Sequence, residues 1–283
     1  MTNLLVAIKN IIKNDKFDLN LIYRNSTNRI NNSGDSLELF AKDAFCDSFN
    51  KKISEKEEVW ASELSYIGNK NNPPDFIIKN SDAIEIKKIE KIKSAIALNS
   101  SFPKNKLFSS DPRITKSCVK CETEEWETKD LIYTIGVCNK SKLNLIWFIY
   151  GDCYCADKEV YEKISNKISQ GILEIPEIEW EKTNELGKIK KIDPLGITDL
   201  RVRGMWHIEN PIKVFENHIS KYPIMESNII ALIPKNKYES FPKNDRTNLE
   251  NLVELGLKIQ DIKIKSPNNP AKYLETKLIF YAK

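Results

Sequence analysis

Apolar and polar positions recur along this chain with two different periods, and each period marks an element. Residues 2–13 carry Leu4, Leu5, Ile8, Ile11 and Ile12 on one stripe, the spacing of an amphipathic helix. A second helix is expected over 35–50, where Leu37, Phe40, Ala41, Ala44 and Phe45 recur at i, i+3, i+4, i+7 and i+8. The stretch 25–34 between them is polar and turn-like. After a charged segment at 54–58 the period shortens. Residues 75–78 and 83–87 flank the polar turn Lys79-Asn-Ser-Asp82, a pattern that predicts a hairpin. Runs 131–138 and 143–150, joined by Asn139-Lys-Ser-Lys142, are apolar enough to be central strands. Residues 157–169 read as a helix, and 171–196, with Pro176 and Pro194, as irregular. A helix begun by Pro211 after Asn210, a strand at 229–233, a helix near 247–255 and strands at 259–264 and 274–281 complete the pattern. Helices and strands mix without regular βαβ alternation, so the expectation is one α/β domain around a mixed sheet.

Composition narrows the class. With 283 residues and 41% hydrophobic content the chain can bury one large core or two modest ones. Charged residues make up 30%, but 44 Lys and Arg against 40 Asp and Glu leave only +4. That balance excludes a histone-like basic wrapper and an acidic disordered tail, and leaves room for local basic clusters. The apolar run 145–150 is far short of the ~20 residues of a spanning helix. Lys9 and Lys13 interrupt the N-terminal stripe, so no secretory signal is expected there. Six cysteines without a regular framework suit a reducing compartment, and the protein is expected to be cytoplasmic. No two of the nine glycines are separated by one residue, so there is no G-x-G nucleotide or methyl-donor loop, and no P-loop occurs. The only histidines, His207 and His218, rule out an H-E-x-x-H zinc site and disfavour a histidine-metal nuclease finger.

The chemistry concentrates in 72–88. Strand alternation puts Glu85 and Lys87 on one side and Ile84 and Ile86 towards the core, and Asp75 meets the charged pair across the hairpin. Two carboxylates offer hard oxygens to Mg²⁺, and a lysine beside them orients or deprotonates an attacking water. A solvated E-x-K pair is ordinary in a chain this rich in Lys and Glu. The Pro-Asp ten residues upstream and the flanking isoleucines set this one apart. Asn72-Pro-Pro-Asp75 also has the outline of a base-methylation motif, but Asp75 stands where an aromatic would stack on the base, which removes that reading.

This constellation resembles the PD-(D/E)xK nuclease superfamily, with Pro74-Asp75 and Glu85-Ile86-Lys87 as its two halves. Segments 67–75 (IGNKNNPPD), 95–104 (AIALNSSFPK), 110–115 (SDPRIT), 150–154 (YGDCY) and 200–206 (LRVRGMW) are similar, in this order, to type II restriction endonucleases of the NgoPII and NgoBV kind. The resemblance spans about 35–215. It implies a restriction-endonuclease-like α/β core, a central mixed sheet flanked by helices. It implies a single endonuclease domain over 1–283, with an N-terminal helical part (1–52), a catalytic core (53–155) and a DNA-recognition and C-terminal part (156–283). Asp75, Glu85 and the Ile86 backbone carbonyl become ligands of Mg²⁺, and Lys87 becomes the catalytic lysine. A further acid is expected from the helix that precedes the motif, Glu38, with Glu63 competing for the role. The implied activity is Mg²⁺-dependent cleavage of both strands of double-stranded DNA at a short palindrome with GG and CC arms, leaving 5′-phosphates. A homodimer would act, and a cognate DNA methyltransferase would belong to the same system without binding directly. The alternative is a structure-specific repair or recombination nuclease on the same core. A DNA-binding module without activity is opposed by the intact Asp75, Glu85 and Lys87.

Residues that meet DNA follow from charge type. Only six arginines occur, and Arg201 and Arg203 alternate in a strand-like segment, which puts both guanidinium forks on one face for guanine O6 and N7. The bland reading is an exposed pair bound to Asp199 or Glu209. His207 lies next to them. Asn99, Ser100, Ser101 and Lys104 are expected to follow the E-x-K strand and a helix, where phosphate contacts form, with Ser109, Ser110 and Arg113 as a second cluster. The run Lys188, Lys190 and Lys191 either touches the backbone or is solvated. Cys118, Cys121, Cys138, Cys153 and Cys155 contain one CxxC and one CxC, which is not a zinc motif, so ordinary packing is favoured over zinc.

Overall fold

Helix α1 (Leu4–Asn14) begins where the Asn3 side chain accepts the backbone N–H groups of Leu5 and Val6, satisfying donors that the helix itself cannot. Its Leu4, Leu5, Ile8 and Ile11 are buried, as are Leu37, Phe40, Ala41 and Ala44 of the helix it packs against, α2 (Ser33–Cys46). This computed structural model describes residues 2–19, 33–69, 71–99, 101–183 and 185–283. The expected turn at 25–34 falls mostly outside the described residues, and Ser100 falls wholly outside them. Helix α3 (Ile53–Glu63) occupies the charged segment that gave no helical signal. Only Lys56 and Trp60 are buried on it. Lys56 pairs with Asp43 of α2, and the Trp60 indole donates to Ser48 at 3.0 Å. A helix held by polar anchors has no apolar stripe for periodicity to find.

The sheet strands are β1 (Leu64–Asn69), β2 (Asn72–Ile78), β3 (Ala83–Ile89), β4 (Ile96–Asn99), β5 (Lys106–Phe108), β6 (Thr128–Asn139), β7 (Lys142–Tyr150), β8 (Glu179–Glu181), β9 (Gly187–Lys190), β10 (Leu200–Val202), β11 (Trp206–Ile208), β12 (Asn228–Pro234), β13 (Lys258–Lys265) and β14 (Tyr273–Ala282). The main sheet runs β1-β2-β3-β6-β7-β12-β14-β13, with β5 added to the start of β6. β3 with β6 and β7 with β12 are parallel, and the remaining pairs are antiparallel. This is the mixed α/β architecture expected, with helices flanking a central sheet. Residues 145–150 of β7 are all buried, as a strand covered on both faces must be. Strands from the C-terminal third complete the sheet that carries β2 and β3, so the 53–155 and C-terminal segments share one core.

Beyond β7 lie helix α4 (Lys158–Leu173) and a small sheet in the order β10-β9-β8. The segment 171–196, expected to be irregular, therefore contains two strands. They are three and four residues long, too short for alternation to register. Their pairing depends on Gly187, where a Cβ would lie 1.8 Å from the Trp180 ring. The helix expected between the E-x-K strand and Asn99 does not form. Residues 96–99 are strand β4, paired antiparallel with β11, a distant partner that local sequence does not announce. The helix expected near 247–255 starts earlier, as α6 (Lys243–Glu250), after α5 (Lys235–Ser240), and ends in a 3₁₀ turn over Asn251–Leu255. Among the described residues no helix is long and apolar enough to cross a membrane.

A chain of charges ties α5 to the sheet. Lys237 reaches Asp82 at 2.6 Å and Asp130 at 2.7 Å, and Lys106 bridges Asp130 and Asp152 at 2.5 Å each. The Tyr150 hydroxyl donates to Asp82 at 2.6 Å. Burial lifts the Asp82 pKa and Lys237 pulls it back down. Removing one partner of a buried pair leaves the other uncompensated, so Lys237→Ala is expected to destabilise the protein by about 3 kcal/mol. Urea unfolding measures this as a lowered midpoint at unchanged slope. A loss below about 1 kcal/mol would mean that the network is only surface pairing.

Candidate active site

β2 and β3 pair through only two positions, Phe76 with Ile84 and Ile77 with Ala83. Asp75 is the first residue past that short ladder. Its carboxylate Oδ2 accepts the N–H of Ile86 at 2.5 Å, taking the place that a backbone carbonyl of β2 would fill in a continued ladder. The other edge of β3 stays paired with β6 from Ala83 to Ile89, so the opening is a notch on one edge only. Two prolines, Pro73 and Pro74, offer no N–H to a ladder at that point. β1 presses on the same place. A Cβ on Gly68 would lie 2.2 Å from the Pro74 carbonyl oxygen and 3.0 Å from that of Asp75, so glycine is required for this approach.

Glu85 and Lys87 flank Ile86 and stand on the same side, as alternation predicts. The Lys87 ammonium donates to Glu85 Oε1 at 2.6 Å, with the side chains 23% and 17% exposed. Ile84 is fully buried, whereas Ile86 is only partly buried against the core. In an extended strand the N–H and C=O of one residue point to the same edge, so the Ile86 carbonyl opens into the notch as well.

Electrostatics single out Asp75. Burial is the main force that pushes its pKa up, to about 7, with Glu85 and then Glu38 adding to it, while Lys87 and the Ile86 N–H act against the rise. Burial opposes the Lys87 ammonium, but Glu85 and Asp75 outweigh it and lift its pKa above the usual lysine value. Glu38 thus lies within electrostatic reach of Asp75 and is held by Lys42 one turn along α2, at 2.7 Å. Glu63 turns elsewhere and accepts the backbone N–H of Thr2 at 3.2 Å. Among the described residues no group of three or more His, Cys, Asp or Glu side chains is placed to hold a metal ion, which leaves the carboxylate pair Asp75 and Glu85. Two hard oxygen donors with one lysine between them and a carbonyl alongside fit Mg²⁺, which takes one or two carboxylates and completes its shell with water and phosphate.

Similarity to known proteins bears on this notch directly. The sequence model of the NgoPII restriction endonuclease family matches residues 2–265. The chain is also 46% identical over 281 residues to the type II restriction enzyme NgoPII of Neisseria gonorrhoeae, covering 99% of this chain and 99% of that protein. The chain belongs to the NgoPII restriction endonuclease family. No solved structure matches it. The family match takes in helix α1 and the strands β12 and β13, which lie outside the 35–215 span of the motif resemblance.

Of the remaining marked residues of this NgoPII-family protein, Ser101 and Lys104 share a small cavity with Glu85 and Pro73. Lys104 is buried, pairs with Asp111 at 3.0 Å and donates to Ser101 at 2.9 Å, and its backbone N–H goes to Tyr133. A small cavity lined by Glu85, Ser101, Lys104 and Tyr133 places this group behind the notch. Arg113 and Ser110 line a cleft of about 650 Å³ together with Lys106, Lys158, Lys182 and Glu185. Asn99 pairs with Trp206 through the backbone, and His207 is exposed on β11; the Asn99 side chain lies outside what is described. Lys188, Lys190 and Lys191 each pair with a carboxylate, from Asp199, Glu181 and Glu179. The six cysteines are free thiols, and burial pushes Cys118, Cys153 and Cys155 up to about 12, so they stay protonated at neutral pH. Sequence reasoning missed Gly68, Tyr133 and Glu185. Tyr133 and Glu185 act through partners more distant in the chain, and Gly68 through the close approach of β1 to Pro74 and Asp75, which no periodicity marks.

The raised Asp75 pKa has a consequence for stability. The group titrates near 7 when folded against an ordinary value of 3.8, so folding takes up a proton between the two. Stability therefore falls as pH rises through that window and reaches its full cost above it. Asp75→Asn removes the cost. The variant is expected to melt higher than its parent at about pH 8 and equally at or below about pH 4. Thermal melts at the two pH values test this, and a parent that melts higher at the upper pH would contradict it.

Proposed function

We propose that this restriction endonuclease hydrolyses both strands of duplex DNA at a short palindrome, with Mg²⁺ as cofactor and 5′-phosphates as products. The observation that carries the reading is the Asp75 carboxylate fixed on the Ile86 N–H, facing the Glu85–Lys87 pair in a notch of the sheet edge. Asp75, Glu85 and the Ile86 carbonyl would hold the cation. When bound it would supply Lewis acidity toward the scissile phosphate and reverse the negative local field that otherwise repels DNA. Glu85 and Asp75 keep Lys87 protonated. This supports a role in orienting the attacking water and stabilising charge on the phosphate, rather than in removing a proton. Glu38 would add a carboxylate from α2 once Lys42 releases it.

Recognition falls to the other elements. Residues 53–155 form the catalytic part of a single endonuclease domain, and 156–283 supply recognition together with strands of the common core. Arg201 and Arg203 read guanines, which agrees with GG and CC arms. Asn99, Ser100, Lys104, Arg113 and His207 serve the DNA backbone and its surroundings. Two chains related by a two-fold axis act on one palindrome, because each chain carries one notch and the duplex has two strands to cut. The enzyme works in the cytoplasm, and a separate methyltransferase protects the host sites.

Digestion of a sequenced plasmid, with run-off sequencing of the ends, tests the activity and defines the site. Cutting is expected with Mg²⁺ and none with a chelator. Lys87→Ala is expected to lose cleavage by several orders of magnitude while keeping the parent's circular dichroism, with a lower melting temperature because Glu85 and Asp75 lose their cation. Parent-like cutting by this variant, or cutting in the chelator, would overturn the mechanism.

Base reading has its own test. Arg201→Ala or Arg203→Ala is expected to cost about 1–3 kcal/mol on the cognate duplex and little on a scrambled one. Equal losses on both duplexes, with a salt dependence lowered by about one unit per lost contact, would assign these arginines to phosphates.

A further inference from the structure

Three of the six arginines in the chain gather around one carboxylate, that of Glu185. Its Oε2 lies 2.8 Å from Arg203 Nε and 3.5 Å from Arg201 Nε. Its charge is also felt by Arg113, which lines the same 650 Å³ cleft. The Glu185 side chain is 13% exposed, whereas those of Arg201 and Arg203 are 56% and 58% exposed. A sheltered anion thus sits beneath two outward cations. The acids nearest in sequence are otherwise engaged, Asp199 by Lys188 and Glu209 by Lys213.

The atoms involved matter. In both ion pairs the nearest nitrogen is Nε, the inner nitrogen of the guanidinium; Oε2 itself has no hydrogen-bond partner among the described residues, so the hold is by charge and proximity. The terminal nitrogens form the fork that fits O6 and N7 of one guanine edge. A side chain with four rotatable torsions loses much freedom when it docks, and fixing it beforehand lowers that cost. The carboxylate also lowers the local charge from two to one. Phosphate attracts by charge and does not require a fork, whereas the guanine edge does.

We infer that Glu185 is a specificity-positioning residue, which orients the Arg201 and Arg203 forks for base edges and makes the pair a poor ligand for phosphate. The inference rests on the base-reading role of the two arginines. It assigns discrimination to a residue that itself touches no base. The carboxylate costs affinity on random DNA, where only charge counts, and recovers it on the cognate site, where orientation counts.

The experiment is a set of binding isotherms for the full-length protein at two salt concentrations. The probes are the duplex defined by run-off sequencing and a scrambled duplex, with Ca²⁺ in place of Mg²⁺ so that neither is cut. Glu185→Gln keeps the shape and removes the charge. It is expected to bind scrambled DNA more tightly, with a salt dependence steeper by about one unit, and to lose about tenfold in the ratio of cognate to scrambled affinity. Glu185→Asp keeps the charge but withdraws it by one methylene. It is expected to bind scrambled DNA as the parent does and to lose affinity for the cognate duplex alone. Parallel gains on both duplexes for Glu185→Gln would make Glu185 a clamp that competes with DNA, and parallel losses would make it scaffolding. Either result overturns the inference. Arg203→Ala measured alongside separates the two levels. If it weakens both duplexes equally, the base-reading role has failed. If it weakens only the cognate duplex while both Glu185 variants keep the parent's ratio, the positioning role alone has failed.

Discussion

The hydrogen bond from the Ile86 N–H to the Asp75 carboxylate is the contact on which the rest of the site depends. A buried strand N–H needs a partner, and β2 has already left β3 when the ladder reaches Ile86. The side chain of Asp75 supplies the missing acceptor. One interaction therefore satisfies the backbone and holds a carboxylate at the sheet edge. It also opens the notch in which the Ile86 carbonyl and the Glu85–Lys87 pair are exposed. Gly68 allows β1 to hold the backbone of Pro74 and Asp75 in that position, and the parallel β3–β6 ladder keeps β3 from following β2 outwards.

The same contact concentrates charge of one sign. Asp75 and Glu85 face each other with Lys87 as their shared partner, and Glu38 adds a third acid from α2. Elsewhere the protein treats buried carboxylates differently. Asp82 and Asp130 share Lys237, Asp130 and Asp152 share Lys106, and Asp43 meets Lys56. Those four acids are all engaged by three lysines in ion pairs that lock helices to the sheet. Around Asp75 burial is the main force that moves the pKa to about 7, and the charges of Glu85 and Glu38 add to it. A sheltered carboxylate whose charge is disfavoured in this way is the kind of group that a bound cation would stabilise.

The two strongest periodic signals in the sequence, the helical stripes at 2–13 and 35–50 and the paired runs at 131–150, survive as α1, α2 and the β6–β7 centre. Local alternation also placed Asp75, Glu85 and Lys87 together correctly, because a hairpin with a short turn fixes its own register. What sequence could not supply depends on distant partners. α3 is helical because Lys56 and Trp60 reach Asp43 and Ser48. β4 exists because β11, more than a hundred residues away, lies beside it. β8 and β9 are too short to show a period and rest on Trp180 covering Gly187. The arginine pair was legible as a pair, but the expected partners Asp199 and Glu209 are replaced by Glu185, which only the folded small sheet brings near.

The contrast between the two kinds of cation follows from that last point. Lysine does the structural work here, at positions 56, 104, 106, 129 and 237, where a compact ammonium reaches one or two carboxylates inside the protein. Arginine is scarce, and where two occur together they stand outward over a sheltered acid. A lysine in either place would remain attracted to any phosphate, whatever its orientation. An arginine presents a planar fork, and the direction of that fork is what a base edge can distinguish. A phosphodiester offers the same oxygens whatever the sequence, so the proposed catalytic notch would be indifferent to it. On that proposal, discrimination would come from groups whose interaction weakens steeply with angle, such as the arginines over Glu185.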